Sequence, residues 1–296
     1  MKIVGAFACS HAGLLVTRRD LAPPEMCERV YAGFAQMGAA IAAAKPDAVV
    51  LVATDHLRVY PFAGVPQFTI GVSASACSIG DAGLAPLEIP VHQPLARAIL
   101  EGALDQGIDL GFSEAMKLDH SFVTPLLLAF PNGSLPIIPI AQNCNVPPLP
   151  SLRRSYEVGR LLGRAIRGGP PGRVVIVGTG GLSHWVGPPE FQRYMREPAG
   201  TRIGREALHP MLIADDGPVS EAFDRRFIDQ ICAGRAPDFI VEWTSDRIYE
   251  EAGNGAQEIR NWLLVAGVVE DSPAELIVYE PVNAWLTGTG LVKVRI

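Results

Sequence analysis

Three of the six histidines follow strongly apolar segments. His11 follows the first segment of the chain, His56 follows residues 48–53, and His184 follows residues 174–177 through a glycine-rich loop. In an open α/β sheet, ligands bind along the edge formed by the carboxyl ends of the parallel strands. The three imidazoles are therefore expected to meet in one crevice, although any one of them alone is explained as a hydrogen-bonded loop residue. Imidazole groups there can bind a metal or transfer a proton.

A carboxylate occurs where helical periodicity predicts apolar contacts. In the segment 255–268, Glu258 shares a helix face with Trp262 and Val265. Burying a carboxylate is costly unless a cation is present, although a first-turn glutamate also favours the helix dipole. Two imidazoles and one carboxylate suit non-haem Fe(II), and zinc hydrolases use the same ligand types. Arg260 in this segment is predicted to face solvent.

The loop 178–181, Gly-Thr-Gly-Gly, invites comparison with phosphate-binding loops. It matches neither GxGxxG nor the Walker A pattern. We therefore predict a tight turn that presents Ser183 and His184. The adjacent serine and histidine suggest nucleophilic catalysis, but the GxSxG elbow of serine hydrolases is absent.

Composition excludes several classes of protein. Of the 296 residues, 48% are hydrophobic and 19% charged, which indicates a large core and argues against disorder. The net charge of −6 and the absence of a basic run argue against nucleic-acid binding. No apolar stretch reaches the roughly 18 residues that a membrane-spanning helix needs. Five cysteines without CxxC spacing indicate no disulfide framework, so we predict a reduced, cytoplasmic protein.

Short apolar segments alternate with helical ones, which predicts an α/β fold with a central, mostly parallel, buried sheet flanked by helices. A single catalytic domain is expected over residues 1–296, and the polar segment 185–216 is predicted to be a loop and a candidate lid. The predicted strands are 2–8, 48–53, 68–72, 108–112, 136–140, 173–177, 275–279 and 291–296. The predicted helices are 24–44, 93–106, 122–128, 152–167, 220–233, 245–251 and 255–268.

Six short motifs occur in a characteristic order along almost the whole chain. Together they resemble the class III extradiol ring-cleavage dioxygenase superfamily, although each motif alone is modest. The motifs are Ser10-His11, Asp55-His56, the Phe-Thr-Ile-Gly of 68–71, the Asp-His-Ser-Phe of 119–122 with Pro125, the Gly-Thr-Gly-Gly-Leu-Ser-His of 178–184, and the Glu-Ile-x-x-Trp of 258–262.

The resemblance implies a set of roles for the residues of these motifs. His11, His56 and Glu258 would bind Fe(II), His184 would be the acid/base catalyst, and His120 would be a second active-site histidine. The implied activity cleaves the ring of a catechol-type diol, such as protocatechuate, gallate, catechol or a substituted catechol. O2 would be the co-substrate, and the product would be a ring-opened semialdehyde.

Two positions depart from the family pattern. Ser121 replaces a glycine and is expected to narrow the pocket, and Trp185 replaces a glutamine, which bears on substrate binding. The small helical partner subunit of some members is not fused to this chain. It is therefore either a separate chain or not needed, and a homo-oligomer is expected. Four arginines can either pair with a substrate carboxylate or be ordinary surface charge. They are Arg58, Arg193, Arg196 and Arg202.

Two alternatives stay open at this point. A zinc-dependent hydrolase on the same scaffold would contain zinc and consume no oxygen. A non-catalytic family member that binds small molecules would normally have lost a metal ligand, whereas every motif position is filled here.

Overall fold

The strands follow the apolar segments closely. In the computed structural model, residues 1–130, 135–201 and 217–296 are described, together with the main chain of 214–215. The strands are β1 Lys2–Cys9, β2 Ala48–Ala53, β3 Phe68–Gly71, β4 Ser75–Ser78, β5 Glu88–Pro90, β6 Gly111–Ser113, β7 Lys117–Leu118, β8 Ile137–Gln142, β9 Arg173–Thr179, β10 Trp185–Val186, β11 Ala214–Asp215, β12 Ala274–Val282 and β13 Thr287–Val294.

The helices lie between these strands. Short 3-10 turns lie at Arg19–Leu21, Gly255–Glu258 and Asn283–Trp285. The α-helices are α1 Leu14–Thr17, α2 Pro24–Ala44, α3 Gln93–Asp105, α4 His120–Ala129, α5 Leu152–Gly168, α6 Pro189–Met195, α7 Glu221–Cys232, α8 Ala236–Glu242, α9 Ser245–Ala252 and α10 Ile259–Val268.

One eight-stranded sheet runs through the molecule in the order β12-β13-β1-β9-β2-β8-β3-β6. The central strands β1, β9, β2 and β8 are mutually parallel, whereas β13 pairs antiparallel with β1 and β3 pairs antiparallel with β8. Every residue of β2 and β8 is buried, as expected for strands covered on both faces. The predicted α/β fold with a mostly parallel sheet is confirmed. The parallel order brings the carboxyl ends of β1, β2 and β9 together.

Helices cover this sheet. α10 packs on β9, β1 and α5, and all ten of its residues are buried. α2 packs on β1, β12, β13 and α4. No described helix is both long enough and apolar enough to span a bilayer.

Some predicted boundaries differ from the structure. The segment 185–216 was predicted to be a loop, yet it contains β10, α6 and β11. Residues 202–213 and 216, including Arg202, lie outside the described residues, and the lid and the single domain stay predictions. The predicted helix 255–268 starts as a 3-10 turn, and the α-helix begins at Ile259.

Arg260 does not face solvent as predicted, because it is fully buried. Its guanidinium donates to the carbonyl oxygens of Pro150 and Gln257, to Gln257 Oε1 and to Ser245 Oγ. This dense set of acceptors offsets the cost of burying the charge. Burial lowers the pKa of Arg260 to about 10, so the side chain remains a cation at neutral pH.

Candidate metal centre

Glu258 lies between the two imidazoles that follow β1 and β2. Its Oε2 is 3.1 Å from His11 Nε2, and its Oε1 is 2.9 Å from His56 Nε2. The Gly181 amide donates to Oε2 at 2.7 Å and fixes the carboxylate. All three side chains are buried. The structure therefore brings together the three residues that the sequence predicted as metal ligands.

Hydrogen bonds at the Nδ1 atoms, the ring nitrogens that face away from Glu258, orient the imidazoles of His11 and His56. His11 Nδ1 lies 3.0 Å from Thr179 Oγ1, and that hydroxyl already donates to the Ser121 carbonyl, so we assign the proton to His11 Nδ1. His56 Nδ1 lies 2.8 Å from Asp119 Oδ2, which assigns its proton in the same way. In the neutral form, each Nε2 then presents a lone pair toward Glu258. Such outer hydrogen bonds are how proteins orient metal-binding histidines.

The charges of these groups are strongly coupled. Burial lowers the pKa of His11, against the opposing pull of Glu258. Burial also acts to lower the pKa of His56, but Asp119 and Glu258 outweigh it and hold that pKa well above its usual value. Burial acts to raise the pKa of Glu258, yet the two imidazoles hold it well below its usual value. The centre therefore favours an ionised Glu258 carboxylate with a positive charge beside it.

A divalent metal fits this donor set. Glu258 Oε1 is buried and accepts no hydrogen bond of good geometry despite its proximity to His56. Two ligand atoms that each lie about 2.1 Å from a metal, at right angles to each other, are about 3 Å apart. The separations of 2.9 and 3.1 Å agree with that value. Two imidazoles and one carboxylate are the donors of the facial set that non-haem iron uses.

His120 lies beside this trio at the start of α4. Asp81 holds it through the main-chain amide at 2.8 Å and through Nδ1 at 2.6 Å, which leaves Nε2 without its proton in the neutral form. The His120 and His56 rings are 4.3 Å apart. Nitrogen atoms of His11, His56 and His120 all lie within 4.8 Å of one another. A three-imidazole metal site is therefore a second geometric option.

His184 completes the ring of polar groups. Its Nδ1 lies 3.0 Å from the Leu182 carbonyl oxygen, so that nitrogen carries the proton, and its Nε2 is 4.0 Å from Glu258 Oε1. Burial lowers the pKa of His184 and favours the neutral imidazole. Its free Nε2 lone pair can accept a proton from a molecule bound beside Glu258.

Two glycines make room for the His184 ring. A Cβ at Gly181 would lie 2.5 Å from His184 Cε1, and a Cβ at Gly255 would overlap Nε2 itself. Gly255→Ala is therefore expected to displace the imidazole and to lower turnover about 100-fold, as a misplacement of about 1 Å does, while metal binding persists. Gly168→Ala is the control, because nothing lies within 4 Å of its added Cβ. Unchanged turnover in folded Gly255→Ala would contradict this packing argument.

A buried carboxylate on α7 holds the loop that carries His184. Asp224 accepts hydrogen bonds from Ser183 N at 2.7 Å, from Ser183 Oγ at 2.8 Å and from Tyr279 OH at 2.8 Å. No sequence pattern pointed to Asp224, since the contact joins residues 41 positions apart. Asp224 thus fixes Ser183 and the position of the next residue.

The titration of Asp224 has a measurable consequence. Burial raises its pKa from 3.8 to about 6, partly offset by its hydrogen bonds to Ser183. The native state therefore binds the Asp224 proton more tightly than the unfolded chain does. The stabilisation that the protonated Asp224 gives the native state is full below about pH 4 and is lost as pH rises through about 6. The loss is expected to reach about 3 kcal/mol by pH 7 to 8. Asp224→Asn cannot titrate and should lack this loss.

Urea unfolding of wild type and Asp224→Asn across this pH range tests the expectation. The free energy of unfolding of wild type, minus that of the variant, should decrease as pH rises. A difference that stays constant across the range would show that Asp224 is not the titrating group.

His11, His56 and Glu258 line a cavity of about 330 Å³. His120, His184 and Arg58 also line it. Among the described residues, its apolar lining includes Ala12, Leu14, Ala82, Val186, Trp285 and Leu286.

The two predicted substrate contacts, Ser121 and Trp185, lie outside the cavity lining. Ser121 is buried, and its hydroxyl donates to the Thr54 carbonyl and to Asp119 Oδ1. Trp185 packs edge-on against Tyr249, with ring centroids 5.7 Å apart. Neither is among the residues that line the cavity. Their roles in substrate binding stay predictions without a supporting contact.

Comparison with known proteins identifies the family of this chain. A family model described as the catalytic LigB subunit of aromatic ring-opening dioxygenase matches residues 5–290. The chain belongs to this family of class III extradiol dioxygenases.

Similar proteins carry a more specific name. A 2,3-dihydroxyphenylpropionate/2,3-dihydroxycinnamic acid 1,2-dioxygenase of Photorhabdus laumondii is 30% identical over 298 residues, covering 92% of each chain. A protein of the same name from a Rhodococcus species is 29% identical over 312 residues, covering 97% of each chain. The crystal structure of an uncharacterised Escherichia coli K12 protein matches with a TM-score of 0.60 at 15% identity, covering 99% of this chain and all of the other. That last likeness concerns the fold alone.

Proposed function

We propose that this protein is an Fe(II)-dependent extradiol dioxygenase that cleaves the ring of a catechol-type substrate beside its two hydroxyl groups. The observation that carries the proposal is the contact of His11 Nε2 and His56 Nε2 with the two oxygens of the Glu258 carboxylate, at 3.1 and 2.9 Å. All three residues line the cavity. O2 is the co-substrate, and the product is a ring-opened semialdehyde.

His11, His56 and Glu258 would hold the iron, which would supply Lewis acidity and redox chemistry. The chain supplies the proton chemistry. His184 Nε2 accepts the proton of one diol hydroxyl, because its Nδ1 is committed to the Leu182 carbonyl. His120, held by Asp81, exchanges a proton with the substrate from the other side of the cavity.

The cavity walls orient the ring. The hydroxyl end of the substrate faces the polar trio, and the ring contacts the apolar side chains of Leu14, Trp285 and Leu286. A volume of about 330 Å³ suits one substituted aromatic ring, since it is near the lower limit of about 300 Å³ for small-molecule pockets. Protocatechuate, gallate, catechol and substituted catechols are the candidate substrates. The names of the relatives make 2,3-dihydroxyphenylpropionate a further one.

One observation favours a second candidate. The clustered nitrogens of His11, His56 and His120 match the three-imidazole set of some catalytic zinc sites. A zinc hydrolase on this scaffold would use that set and leave Glu258 outside the coordination sphere. Family membership and the closer approach of Glu258 support the iron proposal instead.

Anaerobic purification with metal analysis, followed by oxygen uptake on a panel of diols, tests the proposal. The panel contains catechol, protocatechuate, gallate and 2,3-dihydroxyphenylpropionate. Bound iron, oxygen uptake and a new visible absorbance of the ring-opened product are expected. Tightly bound zinc and no oxygen uptake after iron reconstitution would overturn the proposal in favour of the hydrolase. Size-exclusion chromatography of the same sample tests the expected homo-oligomer.

A further inference from the structure

We propose that Arg58 is a specificity-determining residue, whose guanidinium pairs with an anionic substituent on the ring of the catechol-type substrate. This inference rests on the proposed function, and it names the residue that would select such a substituent. Among the described residues that line the cavity, Arg58 is the one arginine or lysine.

The main chain that carries Arg58 is held in place. Both oxygens of the Asp55 carboxylate accept hydrogen bonds from amides of the loop that follows: Arg58 N at 3.1 Å, Val59 N at 2.9 Å and Tyr60 N at 3.0 Å. Leu57 has a φ of 55°, in the left-handed region, which turns the chain between His56 and Arg58. The loop thus places an arginine two positions from a predicted metal ligand, at the wall of the same cavity.

The guanidinium of Arg58 is available to a ligand. Its side chain makes no hydrogen bond or ion pair with another described residue, and Arg58 is exposed. The carboxylates that line the cavity are engaged, because Asp81 pairs with His120 and Glu258 contacts His11 and His56. An unpaired guanidinium offers a planar set of donors that matches a carboxylate with two parallel hydrogen bonds.

Arg196 provides the contrast. It lines a neighbouring cavity of about 340 Å³, but its guanidinium lies 3.7 Å from Asp246 Oδ1 and stacks 4.6 Å above the Tyr249 ring. Its charge therefore already has partners. Val186 belongs to the lining of both cavities, so Arg58 and Arg196 lie on cavities with a common wall residue. Arg196→Gln is thus a matched control for Arg58→Gln.

Charge supports an anionic rather than a neutral substituent. The chain has a net charge of −6, so an anion approaching the cavity needs a local cation. With the hydroxyl groups at the metal centre and the ring against the apolar wall, Arg58 remains as the charged contact for a substituent. A neutral substituent would leave this exposed guanidinium to water, whereas a carboxylate would pair with it.

The test compares binding and turnover in wild type, Arg58→Gln, Arg58→Lys and Arg196→Gln. Calorimetry gives the Kd of 3-hydroxybenzoate and of its neutral counterpart, 3-hydroxybenzyl alcohol, for the iron-loaded protein. Neither ligand is a diol, so this measurement does not depend on ring cleavage. Oxygen uptake gives kcat/KM for 2,3-dihydroxyphenylpropionate and for catechol.

Wild type and Arg196→Gln should bind the benzoate more tightly than the alcohol. Arg58→Gln should weaken benzoate binding and kcat/KM for the carboxylated diol by about 10- to 100-fold, as expected for a lost hydrogen-bonded charge pair, and should leave the alcohol and catechol unaffected. Arg58→Lys should keep part of the preference for the charged ligands, because lysine retains the positive charge but lacks the planar set of donors of a guanidinium.

Equal losses for charged and neutral ligands, or no loss for either, would overturn this role of Arg58. If wild type oxidises no diol, the proposed function fails, but the paired Kd values still decide the role of Arg58.

Discussion

Glu258→Gln is expected to weaken iron binding by at least about 100-fold, because replacing a residue that only supports a ligand already costs about 10- to 100-fold. The variant should still fold. The amide has nearly the volume of the carboxylate, its oxygen can accept the Gly181 amide hydrogen bond, and its NH2 group can donate to the His56 Nε2 lone pair. Glutamine therefore satisfies the Gly181 amide and the His56 imidazole without a metal, and it carries no charge that needs a cation.

Chelator competition under anaerobic conditions measures this effect, and circular dichroism checks the fold of the metal-free protein. Glu250→Gln is the control, since Glu250 is an exposed carboxylate on α9. Iron affinity equal to wild type in folded Glu258→Gln would remove Glu258 from the coordination sphere. If His120→Gln loses the metal instead, the three-imidazole set around His11 and His56 is the correct one.

Strand-end position was the informative signal in the sequence. His11 and His56 follow buried parallel strands, and parallel strands end at one edge of a sheet, so their proximity could be predicted without coordinates. Glu258 was detectable because its charge conflicts with the apolar periodicity of its segment. These arguments depend on local patterns, which a single sequence contains.

The residues that hold the ligands could not be predicted in this way. Asp119 contacts His56 across 63 positions, Asp81 contacts His120 across 39, and Thr179 contacts His11 across 168. Aspartate and threonine are also common in loops, where they serve as caps and turns. Their role depends on which strands become neighbours, and chain order does not settle that.

The pairing of the last strand, β13, could not be predicted from the sequence either. The apolar segments near the C-terminus predicted two strands, but not that β13 would pair antiparallel with β1. That pairing has a consequence at the site, because Trp285, Leu286 and Thr287, at the turn before and the start of β13, line the cavity. Part of the apolar wall of the cavity therefore comes from the turn that joins the last two strands, β12 and β13.

His184→Ala should separate proton transfer from metal binding. Loss of a general base is expected to lower kcat by about 10²- to 10⁴-fold. Iron content should remain at the wild-type level, because His184 Nε2 is 4.0 Å from Glu258 Oε1, whereas the imidazoles of His11 and His56 approach that carboxylate to about 3 Å. His92→Asn is the control, since His92 accepts a hydrogen bond from Leu95 N and only caps α3.

Added imidazole distinguishes a chemical role of His184 from a structural one. Truncation leaves a space beside Gly181 and Gly255, the two glycines that the ring contacts, and that space opens to the cavity. A free imidazole bound there could accept the diol proton and restore part of the lost turnover in a concentration-dependent way. Loss of iron together with turnover, with no recovery by imidazole, would instead make His184 part of the metal site.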